Sequence, residues 1–248
     1  MLQLSNTKIR MYQLCPFRYK CYCDPQIKNA YKEESPALTQ GQLIHGVMNS
    51  YYKELSPEQR NLKNLKDLYK RKFFVNKAKH IGIFKSKDVI NRYVLESQKQ
   101  FDNFLKNPLS KTEPFEATEK LFEGIVDDIK LCAKIDRIDQ GDSGFHIIDY
   151  KTGKLWEEKP DEFQLNFYAF LVENKYQRPV AKKSYFYLLE NKIVETPARE
   201  DDKEKTISTI KEIAYSIGAD KKFEARKNFQ CKFCEYKPLC PLEKGQVL

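Results

Sequence analysis

The chain has no apolar run near the roughly 18 residues that a transmembrane helix requires. Its opening stretch, MLQLSNTKIRMYQLCPF, has no continuous apolar segment of the kind that defines a signal peptide. Internal repeats and low-complexity segments are missing, as is the G-x-x-x-x-G-K-[ST] motif of a P-loop. These absences exclude a membrane span and an ATP-driven motor in the chain itself, and we expect a cytoplasmic protein in a reducing environment.

Apolar and basic residues are plentiful by contrast. Hydrophobic residues make up 41% of the 248 residues and aromatics 13%, which excludes a disordered tail protein. There are 44 Lys and Arg residues against 35 Asp and Glu, a formal net charge of +9. A basic surface attracts polyanions, of which nucleic acid is the commonest in a cytosol, although a lysine-rich proteome would produce the same excess.

Hydrophobic spacing predicts a single mixed α/β domain, 1–248, with a central mixed sheet flanked by helices. Helices are expected after Ser35-Pro36 and at 58–107, 161–176 and 207–217. Strands are expected at 115–126, 129–139, 145–151, 184–189 and 192–196. Residues of about 56–110 form a basic helical insertion in this interpretation.

A turn-forming segment at 141–144 predicts a hairpin with a definable register. If these residues form the loop, residue 140 opposes residue 145, and the same register places Asp136 opposite Asp149. Directly opposed side chains lie about 4.5–5.5 Å apart at Cβ, so the two carboxylates repel unless a cation lies between them. Lys151 is two residues beyond Asp149 and therefore lies on the same face of the strand.

Two carboxylates and an ammonium group in one place suit Mg²⁺ or Mn²⁺, with water and a substrate phosphate completing the ligand shell. A lysine beside such a metal can orient the attacking water and stabilise charge on phosphorus. The plain alternative is a solvated hairpin with ordinary surface charges. His45 lies on the helix that follows Ser35, and Gln164 and Tyr168 share one face of a later helix.

The ordered motifs GQLIHG, AKIDRID, IIDYKTG and QLNFYAF resemble those of the PD-(D/E)xK nuclease superfamily, and in particular its RecB-like branch. This resemblance implies a restriction-endonuclease-like core. It assigns four metal ligands, namely His45, Asp136, Asp149 and the backbone carbonyl of Tyr150. It also implies that Lys151 positions the water, while Gln164 and Tyr168 support the active site and hold the DNA strand.

The cysteines are concentrated at the two ends of the chain. Cys231, Cys234 and Cys240 form C-x2-C-x5-C, and Cys15 can supply a fourth thiolate. Four thiolates suit either Zn²⁺ or a [4Fe–4S] cluster. Iron–sulfur members of the family, AddB-type subunits and CRISPR-associated exonucleases, show a similar pattern, which favours the cluster and a segment 223–248 that closes onto Cys15. Cys21 and Cys23 compete for the fourth place.

The basic segment 62–87 is expected to track the DNA backbone, with Lys70, Arg71 and Lys72 as its densest charge. A solvated helix face is the alternative interpretation.

Together these features predict an Mg²⁺- or Mn²⁺-dependent exodeoxyribonuclease that acts on single-stranded DNA or duplex ends in repair or recombination. The resemblance implies a 5′-phosphate product. Lacking a P-loop, the protein works alone or with a helicase or other recombination or CRISPR proteins. The alternative is a nucleic-acid-binding scaffold subunit of a helicase–nuclease or CRISPR adaptation complex, with a vestigial site.

Overall fold

The computed structural model describes residues 1–31, 34–155 and 161–244, without the side chains of 117–119 and 244. The last residues of the expected cysteine segment, 245–248, lie outside these ranges. The helices are α1 (Asn6–Leu14), α2 (Pro16–Cys23), α3 (Pro25–Ala30), α4 (Pro36–Glu54), α5 (Leu62–Val75), α6 (Lys77–Phe84), α7 (Lys87–Lys106), α8 (Glu162–Tyr176), α9 (Asp202–Ala219) and α10 (Pro241–Lys244). The strands are β1 (Gln3–Leu4), β2 (Glu116–Val126), β3 (Ile129–Gly141), β4 (Gly144–Lys151), β5 (Val180–Tyr187) and β6 (Lys192–Thr196).

The sheet is mixed, as the sequence predicts. Its six strands include the path β1-β3-β4-β5-β6, with β2 also paired to β3. Neighbours along the path are parallel for β1–β3 and β4–β5 and antiparallel for β3–β4 and β5–β6. The parallel step from β4 to β5 requires a crossover, and α8 is that crossover.

The register predicted for the β3–β4 hairpin is confirmed, since Gln140 pairs with Phe145 and Arg137 with Ile148. The loop is shorter than the four residues expected, because Gly141 and Gly144 also pair and leave only two residues between them. Gly144 has a φ of 142°, a conformation that glycine adopts without the steric cost of a Cβ, and this permits the tighter turn.

Helix boundaries follow local capping chemistry. The Ser35 hydroxyl accepts a hydrogen bond from the Leu38 N–H at 3.2 Å, and Pro36 occupies the first position of α4, as predicted. The expected helical stretch at 58–107 is divided into α5, α6 and α7, with breaks at Asn76 and at the left-handed residue Lys85. In the described ranges no helix is long and apolar enough to cross a membrane.

Backbone contacts divide the chain into two compact units, so the expected single domain stays a prediction. The first comprises Met1–Glu33, Glu123–Ala133 and Asp201–Leu248, and the second Glu34–Phe122 and Lys134–Glu200. In the second unit the basic helices share one hydrophobic core with the central strands, since Leu65, Phe101 and Phe104 belong to the same buried cluster as Ile148 and Phe186. The supposed insertion is therefore part of that core.

The first unit has a smaller core. Tyr12 and Tyr19, from α1 and α2, pack edge to face with ring centroids 5.5 Å apart, and Ile213 and Phe223 pack against the same cluster. The Tyr12 hydroxyl donates to Asp220 at 3.0 Å. These contacts hold the opening helices against the C-terminal part of the chain, an arrangement that hydrophobic spacing alone did not reveal.

Candidate active site and cysteine cavity

The structure brings the acidic residues of the hairpin together with the histidine of α4. Asp136 lies on β3 and Asp149 on β4, one step beyond the last paired residues of the hairpin. The His45 Nδ1 atom is 2.9 Å from Asp136 Oδ1, and the Tyr150 backbone N–H donates to Asp136 Oδ2 at 2.8 Å. Both oxygens of Asp136 thus have partners within the protein.

Asp149 is the less exposed of the two carboxylates. It is only 5% exposed, and burial together with the nearby Asp136 carboxylate raises its pKa to about 6, against the opposing influence of Lys151 and His45. The Lys151 Nζ atom is 2.7 Å from Asp149 Oδ2, and the Gln164 side-chain amide donates to Asp149 Oδ1 at 3.0 Å. A second carboxylate so near a buried one is tolerated because an ammonium group stands beside it.

Gln164 connects the groups around Asp149. Its amide also donates to the Tyr168 hydroxyl at 2.8 Å, and its carbonyl oxygen accepts from Lys151 Nζ at 3.2 Å. The position of Gln164 at the start of α8 is set by Asp161, whose carboxylate caps the helix by accepting from the Gln164 N–H at 3.4 Å. Burial raises the pKa of Tyr168 above its usual range, so its hydroxyl stays protonated.

Sequence reasoning missed Tyr185. The ring of this β5 residue lies beneath Lys151, with Nζ 4.5 Å from the ring centroid. Its hydroxyl donates to the Gln164 carbonyl oxygen at 3.2 Å and to the Asp161 backbone carbonyl at 2.8 Å. The parallel pairing of Asp149 with Tyr185 creates this contact, and no local signal in the sequence predicts that pairing.

Arg137 is fully buried beside the site, which excludes the interpretation of the hairpin as a solvated one. Its guanidinium donates to Asp139 at 2.7 Å, to the Leu109 carbonyl at 2.8 Å and to the Thr112 hydroxyl at 2.6 Å. A buried cation with several partners is costly to remove, because its partners are then left unsatisfied. Arg137 therefore anchors β3 at the residue that follows Asp136.

The carboxylate cluster comprises His45, Asp136, Asp149, Lys151 and Gln164, and its two carboxylates are ligands of the kind that suit a hard divalent cation. Two largely buried carboxylates concentrate negative charge in one place. In the described part of the chain, however, no three His, Cys, Asp or Glu side chains converge on one metal position. The ammonium group of Lys151 and the ring of His45 contact the oxygens that a metal would use.

The four cysteines singled out in the sequence line one cavity in the first unit, here named the cysteine cavity. It has a volume of about 90 Å³ and is lined by Cys15, Cys231, Cys234 and Cys240. The competing residues Cys21 and Cys23 are described but do not belong to this lining. All seven cysteines of the chain are free thiols.

Backbone donors point at the sulfurs of this cavity. The Arg226 N–H donates to Cys15 Sγ at 3.5 Å, and the Asn228 N–H donates to Cys231 Sγ at 3.2 Å. Such bonds stabilise negative charge on sulfur, as a thiolate-bound metal centre requires. In the described residues the four thiols nevertheless do not converge on one metal position. Burial raises the pKa of the Cys234 thiol.

Polar contacts fix the C-terminal segment around the cavity. Arg18 donates to Gln230 at 2.6 Å and to Glu235 at 2.8 Å, and the Asn228 side chain donates to the Leu14 carbonyl at 3.2 Å. Cys132, the one cysteine far from both chain ends, is half-buried on β3, where its sulfur accepts from the Gln3 amide at 3.4 Å.

The three cations of α5 expected to bind DNA do not form one patch. Lys70 is exposed with Asp67 at 3.6 Å, and Arg71 pairs with Glu54. The Lys72 side chain lies along α4, close enough that a Cβ added at Gly46 would be 3.3 Å from its Cδ atom. Successive helical residues are 100° apart, so consecutive cations face different neighbours. Their role in DNA binding stays a prediction.

The fold and the site together define the class of protein. It is a mixed α/β protein in which two carboxylates, a lysine and a glutamine come together at a β-hairpin. The chain belongs to the PD-(D/E)XK nuclease superfamily, whose family model matches residues 3–241. No curated protein matches it.

Solved structures that are similar to this chain include the following two. A protein from Eubacterium rectale described as a "Putative exonuclease" shares 11% identity, with a TM-score of 0.55 and coverage of 99% of this chain and 88% of that one. The protein SSO0001 shares 16% identity, with a TM-score of 0.45 and coverage of 97% and 86%. The first likeness supports the restriction-endonuclease-like fold, and at this identity it says nothing about substrate.

Proposed function

We propose that this protein is an Mg²⁺- or Mn²⁺-dependent deoxyribonuclease that hydrolyses phosphodiester bonds, acting as an exonuclease on single-stranded DNA or duplex ends. The observation that carries the proposal is the convergence of Asp136, Asp149 and Lys151, all in the second unit, with Gln164 bonded to both Asp149 and Lys151. Membership in the nuclease superfamily supports the reaction class. The exonuclease assignment is supported by the description of the Eubacterium rectale protein, and the role in repair or recombination rests on the sequence resemblance alone.

In this proposal His45, Asp136, Asp149 and the carbonyl of Tyr150 hold the divalent cation, which supplies Lewis acidity toward the scissile phosphate. Lys151 orients the attacking water and offsets negative charge that develops on phosphorus. Gln164 keeps the ammonium group in place through its bond to Lys151 Nζ. Tyr168, held by the same amide, is proposed to contact the DNA strand.

The cysteine cavity is proposed to hold a [4Fe–4S] cluster on Cys15, Cys231, Cys234 and Cys240, with Zn²⁺ as the alternative occupant. The four thiols that line one cavity and the N–H donors at two of the sulfurs support it. Its role would be architectural, because it would connect the first helices to the C-terminal segment.

The test is cleavage of labelled linear single-stranded, linear duplex and circular DNA by the full chain, with Mn²⁺ or with EDTA. We expect Mn²⁺-dependent shortening of linear DNA and intact circles. Asp149→Ala should abolish cleavage and leave DNA affinity intact, because cations supply most of that affinity. Asp142→Ala, in the turn of the same hairpin, is the matched control.

Three results would contradict the proposal. Equal cleavage by wild type and Asp149→Ala would show that the carboxylate cluster takes no part in the reaction. Cleavage of circular DNA would show that the protein is an endonuclease and not an exonuclease. DNA binding without cleavage under any metal would favour the nucleic-acid-binding scaffold with a vestigial site, which could still serve a helicase–nuclease or CRISPR complex.

A further inference from the structure

A groove lies between α5 and α7 in the second unit, with a volume of about 520 Å³. The buried rings of Tyr69, Phe73 and Phe101 form its floor, and Lys66, Lys70 and Phe74 stand at its rim. We name it the aromatic groove. Its size is typical of ligand sites, which range over about 300–1,000 Å³. None of the residues of the carboxylate cluster belongs to its described lining.

The charge of the segment that forms the α5 wall of the aromatic groove is strongly one-sided. Residues 62–87 contain nine Lys and Arg residues and a single acidic residue, Asp67, so this segment carries nearly all of the chain's net charge of +9. The described lining of the groove includes two lysines and no Asp or Glu. The lysines at the rim therefore favour an anionic ligand.

One aromatic ring of this surface is accessible, because the three rings of the floor are buried. Phe74 is 58% exposed, and Lys77 already lies over its ring, 5.5 Å from the centroid. Single-stranded nucleic acid offers phosphates for the lysines and unpaired bases for the rings, whereas a duplex keeps its bases stacked inside. An apolar peptide would fill the floor of the groove but would offer no phosphate to Lys66 and Lys70.

We propose that the aromatic groove binds single-stranded nucleic acid, with a base stacked on Phe74 and the flanking phosphates paired with Lys66 and Lys70. The proposal deepens the proposed nuclease function and rests on it for the identity of the strand, which would be the substrate. A strand bound here stays on the protein while the carboxylate cluster acts on another part of it. Within the basic segment that was expected to follow the DNA backbone, this proposal assigns binding to the face of α5 that carries Lys66, Lys70 and Phe74.

Binding is measured by fluorescence anisotropy of labelled oligo(dT) with the full chain in EDTA, where no cleavage takes place. Phe74→Ala should weaken binding at least about fivefold, since base–aromatic stacking is worth about 1–3 kcal/mol per base. The double variant Lys66→Gln/Lys70→Gln should lower the slope of log affinity against log salt by about 1.4, from two lost contacts. Leu95→Ala and Lys106→Gln, at α7 residues outside the groove, are the matched controls.

A photocrosslink gives a second readout. Oligo(dT) with 5-iododeoxyuridine substitutions should crosslink to the peptide that contains Phe74, and Phe74→Ala should remove that crosslink. Wild-type affinity and an unchanged salt slope in both test variants would overturn the proposal and leave the groove to a protein partner. Crosslinks confined to other peptides would overturn it as well. Because the assay needs no divalent metal, failure here is distinct from failure of the proposed nuclease function.

Discussion

The carboxylate cluster is carried by strands and helices that share one hydrophobic core, whereas the cysteine cavity is assembled from residues near both ends of the sequence. Asp136 and Asp149 are held by partners on α4, β4 and α8, and each lies within a few ångströms of a fixed donor. The thiols of the cavity are half-buried apart from Cys15, and polar contacts of Arg18 and Asn228 hold the segment around them.

This difference predicts which of the two sites would depend on a bound metal centre to keep its local structure. Burial of apolar surface contributes about 25 cal/mol per Å², so the strands around the carboxylate cluster keep their places through their own packing. The segment around the cysteine cavity contains no extensive apolar core of its own, and Phe229 and Phe233 are exposed. Joining Cys15 to Cys231 also closes a very long loop, an entropic cost that bonds to a metal centre would offset. We infer that loss of the bound centre affects the first unit far more than the second.

The largest expected effect is on the cysteine cavity. Protein purified without oxygen should be brown and contain about four iron atoms per chain. Cys234→Ala should lose this iron and make the chain ends sensitive to protease, as measured by metal analysis and limited proteolysis. Mn²⁺ binding by the carboxylate cluster should persist, because its strands belong to a separate core.

Cys132→Ala is the control, since its sulfur lies outside the cavity lining. Stoichiometric zinc with no iron would show that the cavity binds zinc and not an iron–sulfur cluster. A Cys15→Ala variant that keeps its iron would instead show that Cys21 or Cys23 supplies the fourth ligand.

A smaller effect is expected from removing the ammonium group beside the carboxylates. Lys151→Gln should lower the single-turnover cleavage rate by about 10²–10³-fold, the usual loss when one donor to developing charge is removed. Iron content should be unchanged, since Lys151 lies in the second unit. Lys182→Gln, exposed on β5, is the control. Collapse of metal affinity in Lys151→Gln, measured by calorimetry, would show a structural role for this lysine.

The smallest effect concerns the residue that sequence reasoning missed. Tyr185→Phe keeps the ring beneath Lys151 and removes only the hydroxyl that bonds to Gln164 and Asp161. A hydrogen bond contributes about 0.5–1.5 kcal/mol net, so the cleavage rate should fall about two- to tenfold. The control Tyr215→Phe, at an exposed position of α9, should have no effect on the cleavage rate. A loss as large as that of Lys151→Gln would mean that Tyr185 acts on the substrate itself.

Several features of the fold could be predicted because the interactions that set them are local. Ser35 and Pro36 define the start of α4 through a hydroxyl cap and a fixed φ. The glycine-bounded turn sets the register of the β3–β4 hairpin, and from that register follows the proximity of Asp136 and Asp149. Even the error in loop length left the register intact, because Gly141 and Gly144 pair in the same frame.

Other features were beyond prediction because residues distant in the sequence create them. Tyr185 reaches Lys151 only through a parallel pairing that follows the α8 crossover. Lys70, Arg71 and Lys72 are one dense cluster in the sequence, yet they face three different neighbours on the helix.

The sequence by itself therefore determined the chemistry of both candidate sites: the order of the acidic motifs, the lysine two residues after Asp149, and the spacing of Cys231, Cys234 and Cys240. Local rules of turn and strand geometry were sufficient for the hairpin that carries the carboxylates. Only the tertiary structure decided the burial of Arg137, the bonds through Gln164 and the formation of the aromatic groove. Each of these depends on which elements pack together, and packing is set by the whole core rather than by any one segment.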